Sequence, residues 1–173
     1  MSRTFGADEV IVSKTDLKGR LTYVNDVFLR VSRYPEEELL GRPHNVIRHP
    51  NMPRALFAML WTEIQAGREM FAYIDNLAAD GENYWVFAHV TPTVRNGAII
   101  GYHSNRRVPS AHAIAEIVPL YAEMCAIEQR YSHPRQAMDA SAAYLAGELD
   151  RRRMTYDQFV WSITEAGQKR VAA

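Results

Sequence analysis

The distribution of apolar, β-branched and polar residues predicts a sheet interrupted by helices over the first two-thirds of the chain. Apolar residues recur at helical spacing after Asn25, which is predicted to be an N-cap, after Pro35 and most clearly in Pro53–Ala66. The predicted order β-β-α-α-α-β-β-β favours an α+β fold in which helices lie on one face of a five-stranded antiparallel sheet. Segments rich in β-branched and aromatic residues predict the strands Glu9–Thr15, Leu21–Val24, Phe71–Leu77, Tyr84–Val94 and Ala98–Val108.

The last third of the chain predicts helices only. Apolar positions in Ala111–Tyr131 and in Arg135–Leu149 have helical spacing, although Glu128 interrupts the first of them. Thr155 and Gln158 form a capping-box pattern ahead of a third helix. We therefore expect a sheet domain at 9–108 and a C-terminal helical extension at 109–173.

Composition and charge exclude several classes of protein. Lys+Arg and Asp+Glu are both 20 in 173 residues, so nothing indicates nucleic acid or an anionic membrane as a partner. The single cysteine, Cys125, allows no internal disulfide and no multi-thiol metal site, which favours a cytoplasmic location. The sequence contains no apolar leader and no long apolar segment, so we expect no signal peptide and no membrane insertion.

The polar segment Gly41–Pro53 is the candidate binding region. It contains two histidines, two arginines and three prolines within a single connector. Proline fixes φ and removes backbone donors, so the segment is predicted to be neither one long helix nor a central strand. Connectors of this kind, placed between regular elements, frequently carry binding residues.

Several motifs resemble one family of sensor domains. They are Thr15–Leu17, Tyr23–Phe28, Glu37–His44, Arg48–Pro53, Met59–Trp61, Asp80–Val86, Thr91-Pro92, Gly101-Tyr102, Ser104, Arg106 and Pro119–Tyr121. Residues 9–125 resemble a PAS domain, in particular the N-terminal flavin-binding PAS domain of bacterial aerotaxis receptors. The resemblance implies non-covalent FAD binding and a redox or oxygen-linked role in aerotaxis-like signalling.

The resemblance also implies which residues bind the cofactor. They are Arg48 and His49, Asn51 where the family usually has aspartate, Trp61 on the following helix, and Asn76 on the next strand. Two departures bear on cofactor retention: Met70 replaces a tryptophan of the family, and Leu77–Ala79 replaces a basic stretch.

The chemistry of these residues suits a flavin, which needs an apolar slot, amide groups at the ring edge and donors for the diphosphate. Asn76 offers an amide, Trp61 a stacking surface, and Arg48 a fork for phosphate. His49 offers a ring nitrogen for a hydrogen bond to the cofactor. Each residue also has a structural alternative. Trp61 could pack in the core, Asn76 could be a strand-edge residue, and Arg48 and His49 could stabilise the proline-rich connector.

Asn51 has its own structural alternative, as a cap for the Pro53 helix. Because Cys125 lies on a predicted helix outside the sheet, it is not expected to form the flavin adduct of light-sensing PAS domains.

Two other functions remain open. A haem-binding gas sensor would use His44, His49 or His103 as the iron ligand. A cofactor-free module would only dimerise. We expect a homodimer through the PAS domain and the C-terminal helices, or a signalling partner protein. No catalytic motif for phosphate, zinc or acyl chemistry is present, so we predict that the chain is not an enzyme.

Overall fold

The computed structural model describes residues 2–171, with side chains through residue 167. Its strands are β1 (Ile11–Thr15), β2 (Leu21–Val24), β3 (Met70–Leu77), β4 (Asn83–Arg95) and β5 (Ala98–Arg107). Its helices are α1 (Asp26–Ser32), α2 (Glu36–Leu39), the 3-10 helix η1 (His44–Ile47), α3 (Arg54–Gln65), α4 (Ala111–Glu128), α5 (Pro134–Arg152) and α6 (Tyr156–Val171). The predicted α+β class and the five strands are confirmed.

The five strands form one antiparallel sheet in the order β2-β1-β5-β4-β3. Side chains alternate between faces, so the register decides which residues share a face. On β5, Tyr102, Ser104 and Arg106 lie on one face, together with Ile11 of β1 and Ala88 of β4, which pair with Arg106. We call this the inner face.

Thr15 and Pro92, which pair with Tyr102 at one end of the sheet, are half-buried, but most inner-face residues on β1, β5, β4 and β3 are buried. They are Ile11, Ser13, Tyr102, Ser104, Arg106, Tyr84, Val86, Ala88, Val90, Met70, Ala72, Ile74 and Asn76.

Asn25 fixes the first helix against the sheet. Its Oδ1 accepts hydrogen bonds from Phe28 N and Val12 N, both at 3.0 Å, and its Nδ2 donates to Val10 O at 2.9 Å. The predicted N-cap is therefore confirmed, and the same side chain also ties α1 to β1. This places Phe28, which is fully buried, over the inner face.

Packing of the backbone divides the described chain into two units. Residues 2–50 and 63–108 form the first, which contains the whole sheet, and residues 51–62 and 109–171 form the second. The sequence did not indicate that residues 51–62 group with the C-terminal helices. The boundary predicted at residue 108 therefore stays a prediction.

The second unit is helical, and α5 and α6 both pack against α4. Ser110 caps α4 by accepting from Ala113 N at 3.1 Å. The predicted capping box is formed: Thr155 N donates to Gln158 Oε1 at 2.9 Å, and Gln158 N donates to Thr155 Oγ1 at 3.2 Å. Pro134 begins α5, a position that suits proline because a residue at N1 loses no intrahelical hydrogen bond.

Glu128 has a long-range role that explains why it interrupts the apolar spacing of α4. Its Oε2 accepts from Arg54 N at 2.9 Å and its Oε1 from Ala55 N at 3.0 Å. One carboxylate thus binds two of the unpaired N–H groups at the start of α3, where negative charge is also favourable. Within the described residues, no helix combines the length and apolarity needed to cross a bilayer.

We expect Glu128→Ala to lower the free energy of unfolding by about 1–2 kcal/mol, because two backbone donors at the start of α3 lose a charged acceptor. Urea unfolding measures the change. The matched control is Glu123→Ala on the same helix, whose ion pair with Arg130 spans 3.6 Å between exposed side chains. Equal destabilisation by both substitutions would contradict a capping role for Glu128.

Candidate functional site

The inner face of the sheet carries polar side chains in the interior of the first unit. Exposed fractions are 1% for Ser13, 3% for Asn76, 0% for Tyr84, 8% for Ser104 and 1% for Arg106. None of the inner-face residues is acidic. Since buried polar groups normally have hydrogen-bond partners, each of these side chains requires an account of its partners.

Arg106 is the central member of this group because β5 lies between β1 and β4. Its Nη2 donates to Ser13 Oγ, and its guanidinium carbon lies 4.9 Å from the centroid of the Phe28 ring. Among the residues that the structure describes, its Nε and Nη1 have no hydrogen-bond partner. Burial lowers the pKa of Arg106 to about 10, so the guanidinium remains charged near neutral pH.

His44, on η1, completes a chain of polar groups with Ser13 and Arg106. His44 Nε2 lies 3.0 Å from Ser13 Oγ, and its ring lies edge-on to Phe28 with centroids 6.3 Å apart. Burial, followed by repulsion from Arg106, lowers the pKa of His44 to about 3. Because Ser13 Oγ accepts from Arg106, its hydroxyl proton is available to donate to the neutral imidazole.

Two further buried groups on the inner face lack partners. Asn76 Nδ2 and Tyr84 OH make no hydrogen bond within the described part of the chain, and burial raises the pKa of Tyr84 well above its usual range, so the phenol is neutral. Together with Arg106, the first unit presents four buried N or O atoms without partners. All four can donate, so a complementary molecule would present hydrogen-bond acceptors.

Small side chains lie next to this group. Ala72 and Ala88 pair directly across β3 and β4, and Ala88 pairs with Arg106 across β4 and β5. The side chains on either side of them along these strands are larger, namely Met70, Ile74, Val86 and Val90. The side chains therefore project least from the inner face beside Arg106, which is the shape that a flat ring requires.

The structure brings three of the five predicted site residues together at the edge strand β3. The backbone of Arg48 bridges that of Asn76, and His49 N donates to Asp75 O at 3.3 Å. His49 Nδ1 lies 3.8 Å from Asp75 Oδ2, and Asn83 Nδ2 donates to both carboxylate oxygens of Asp75 at 2.9 and 3.1 Å. Burial raises the pKa of Asp75, and this effect outweighs the hydrogen bond from Asn83 and the attraction of His49, which both lower it.

The other two predicted residues lie in the second unit. Asn51 is exposed, and its carbonyl accepts from Cys125 Sγ at 3.2 Å. Trp61 is half-buried on α3. Their assignment to the cofactor stays a prediction from the resemblance.

His103 lies on the opposite face of the sheet from Arg106, because it alternates with Tyr102 and Ser104 along β5. Its Nε2 lies 3.0 Å from Asn105 Oδ1, and the hydrogen bond is exposed. This removes His103 from the histidines that could ligate iron on the inner face.

The sequence analysis quoted Arg106 as part of a motif without assigning it to the site, and it did not identify Tyr84. The available signal was the alternation Tyr102, Ser104, Arg106, set against His103, Asn105, Arg107. Both sets are polar, so hydrophobicity does not indicate which set faces the core.

Comparison with known proteins agrees with the predicted resemblance. The chain matches the PAS fold family over residues 21–105. It is 42% identical to the aerotaxis receptor of Escherichia coli (strain K12) over 114 residues, which are 66% of this chain and 22% of the receptor. It is 27% identical to the nitrogen fixation regulatory protein of Klebsiella pneumoniae over 85 residues, which are 49% of this chain and 17% of that protein.

The chain therefore spans about a fifth of the length of these curated relatives. They are named as a receptor and a regulatory protein, which supports the prediction that the chain is not an enzyme.

Solved structures show the same fold. One solved structure, described as "Flavin Analogue Sheds Light on Light-Oxygen-Voltage Domain Mechanism", has a TM-score of 0.55 at 18% identity. The match covers 66% of this chain and 87% of the chain in that structure. The light state of the aureochrome1 LOV domain has a TM-score of 0.54 at 19% identity and covers 70% of this chain and 91% of its own. At these identities the likeness concerns the fold.

Proposed function

Residues 21–105 belong to the PAS family, in a sensor domain related to that of the aerotaxis receptor, and from this premise we propose that the chain binds FAD non-covalently and senses redox state. The resemblance of residues 9–125 to the PAS domains of aerotaxis receptors implies this cofactor. The proposal includes signalling in an aerotaxis-like response, a cytoplasmic location, and output through the C-terminal helices as a homodimer or to a partner protein.

The observation that carries the proposal is the set of unpaired donors on the inner face. No described residue is a hydrogen-bond partner for the buried atoms Arg106 Nε and Nη1, Asn76 Nδ2 and Tyr84 OH. Leaving a buried donor unpaired costs about 1–3 kcal/mol, so this arrangement is costly unless a ligand supplies acceptors. The carbonyl and ring-nitrogen edge of a flavin supplies them, and the residues present therefore fit the cofactor.

FAD, when bound, supplies reversible electron acceptance. The protein's own residues hold and orient it. Asn76 and Tyr84 would donate hydrogen bonds to it from β3 and β4, and Ser13 fixes the guanidinium of Arg106. Arg48 and His49, which the connector brings to the edge of β3 beside Asn76, are proposed to contact the same cofactor.

The same observation separates the alternatives. A module that only dimerises has no need of buried donors without partners, and a haem presents a largely apolar macrocycle to the interior of its pocket. The absorption spectrum distinguishes them directly, because flavin bands, a haem Soret band and a colourless protein are mutually exclusive results for a purified single-cofactor domain.

We expect the purified, ligand-free chain to bind FAD in a titration followed by flavin fluorescence. Asn76→Ala and Arg48→Ala are each expected to weaken binding about tenfold, because each removes a proposed donor. Asn105→Ala is the control, since Asn105 is exposed on the opposite face of β5. Absence of FAD binding by the unsubstituted chain would refute the proposal.

A further inference from the structure

We propose that Arg106 binds the carbonyl edge of the flavin ring and not its diphosphate, which makes this buried arginine the residue that recognises the redox-active part of the cofactor. The inference deepens the proposed function and rests on it. It is drawn from the position, pairing and surroundings of Arg106 in the first unit.

The guanidinium is oriented by its neighbours but not saturated by them. Ser13 Oγ accepts from Nη2, and Phe28 covers the cation at 4.9 Å. These two contacts fix the plane of the group, while the protons on Nε and Nη1 remain unused. Such an arrangement is preorganised for an acceptor that the protein itself does not supply.

The absence of an acidic residue on the inner face strengthens this inference. A buried cation normally has a carboxylate partner, yet Arg106 has none among the inner-face residues. Its titratable neighbours His44 and Tyr84 are both neutral, because the pKa of His44 is lowered to about 3 and that of Tyr84 is raised by burial. The charge of Arg106 is therefore available to a ligand.

The burial of Arg106 favours the ring edge over the diphosphate as its partner. Arg106 is 1% exposed and is flanked on the sheet by Ile11 and Ala88. A diphosphate carries at least two negative charges, and a single guanidinium cannot compensate for the loss of hydration of both. The ring carbonyls accept hydrogen bonds without carrying a full charge. Beside Arg106, the small side chains of Ala72 and Ala88 project little from the sheet.

A ligand-binding role and a structural role make opposite predictions for the ligand-free protein. If Arg106 only stabilised the fold, its removal would lower the free energy of unfolding. A cation held without an ion-pair partner instead opposes folding, so Arg106→Met is expected to keep or increase the stability of the ligand-free chain.

The test compares FAD with riboflavin, which has the same ring and no phosphate. Ligand-free wild type, Arg106→Met and Arg107→Met are titrated with each flavin, Arg107 being the adjacent exposed arginine on the opposite face. We expect Arg106→Met to weaken binding of both flavins by about 10- to 100-fold, as for the loss of charge-assisted hydrogen bonds. Arg107→Met is expected to change neither by more than about twofold.

The outcomes separate this inference from the proposed function. If wild type binds neither flavin, the proposed function fails and this inference with it. If wild type binds FAD and Arg106→Met binds it equally well, or loses affinity for FAD but not for riboflavin, only the ring-edge assignment is overturned. If Arg106→Met does not fold, Arg106→Gln is titrated in its place. If Arg106→Gln does not fold either, Arg106 has a structural role and the ring-edge assignment is overturned.

Discussion

Gly101→Ala is expected to lower the free energy of unfolding by about 3 kcal/mol, the upper part of the range for inserting one carbon into a packed site. A Cβ at Gly101 would lie 2.1 Å from the carbonyl oxygen of Thr15. That oxygen belongs to the backbone of β1, so it cannot rotate away as a flexible side chain would. Relief of the overlap requires β1 and β5 to separate at this end of the ladder.

The chain contains its own control for this experiment. Gly147 lies inside α5, five residues before its last residue Arg152, and a Cβ there would meet no atom within 4 Å. Gly147→Ala should therefore raise the free energy of unfolding by about 1 kcal/mol, because alanine restricts the unfolded chain and favours helix. Urea unfolding measures both variants, and a cost at Gly101 no larger than about 1 kcal/mol would show that the strands adapt easily.

Acidification should destabilise the protein strongly through His44. The pKa of His44 is about 3 in the folded chain against an ordinary value of 6.5. Between these values the unfolded chain binds more protons, so stability falls as pH falls, by about 1.4 kcal/mol per pH unit. The contribution is fully present above pH 6.5, and about 2 kcal/mol is expected to be lost between pH 7 and pH 5.

His44→Gln tests the origin of this loss. Glutamine can offer an amide to Ser13 but does not titrate, so the stability of the variant should change less between pH 7 and pH 5. Asp75 acts in the opposite direction, because its raised pKa favours the folded state as the carboxylate takes up a proton on acidification. An unchanged pH slope in His44→Gln would assign the acid sensitivity to other groups.

The elements of this fold follow closely from local sequence. Asn25 was predicted to cap α1, Thr155 and Gln158 to cap α6, and Leu21–Val24 to form a strand, and each is observed as expected. These features depend on residues a few positions apart, where side-chain chemistry and backbone preference act together. The 3-10 helix η1 inside the proline-rich connector was not predicted, since its four residues have no clear period.

The candidate site is less accessible to sequence reasoning. The connector residues Arg48 and His49 and the strand residue Asn76 were predicted through the resemblance, and the structure places their backbones together. Arg106 and Tyr84 were not assigned to the site, because neither a buried arginine nor a buried tyrosine is marked by its neighbours in sequence. Their importance depends on which face of the sheet they occupy.

The sequence by itself determined the strands, most of the helix caps, the polar connector and the family resemblance, because each rests on short-range periodicity or on a contiguous motif. Only the tertiary structure decided that Arg106, Ser13 and His44 meet, and that four donor atoms are buried without partners. The physical reason is register. A strand with polar residues on both faces has no hydrophobic preference for either, and its orientation is set by pairing with strands nearly a hundred residues away in the chain.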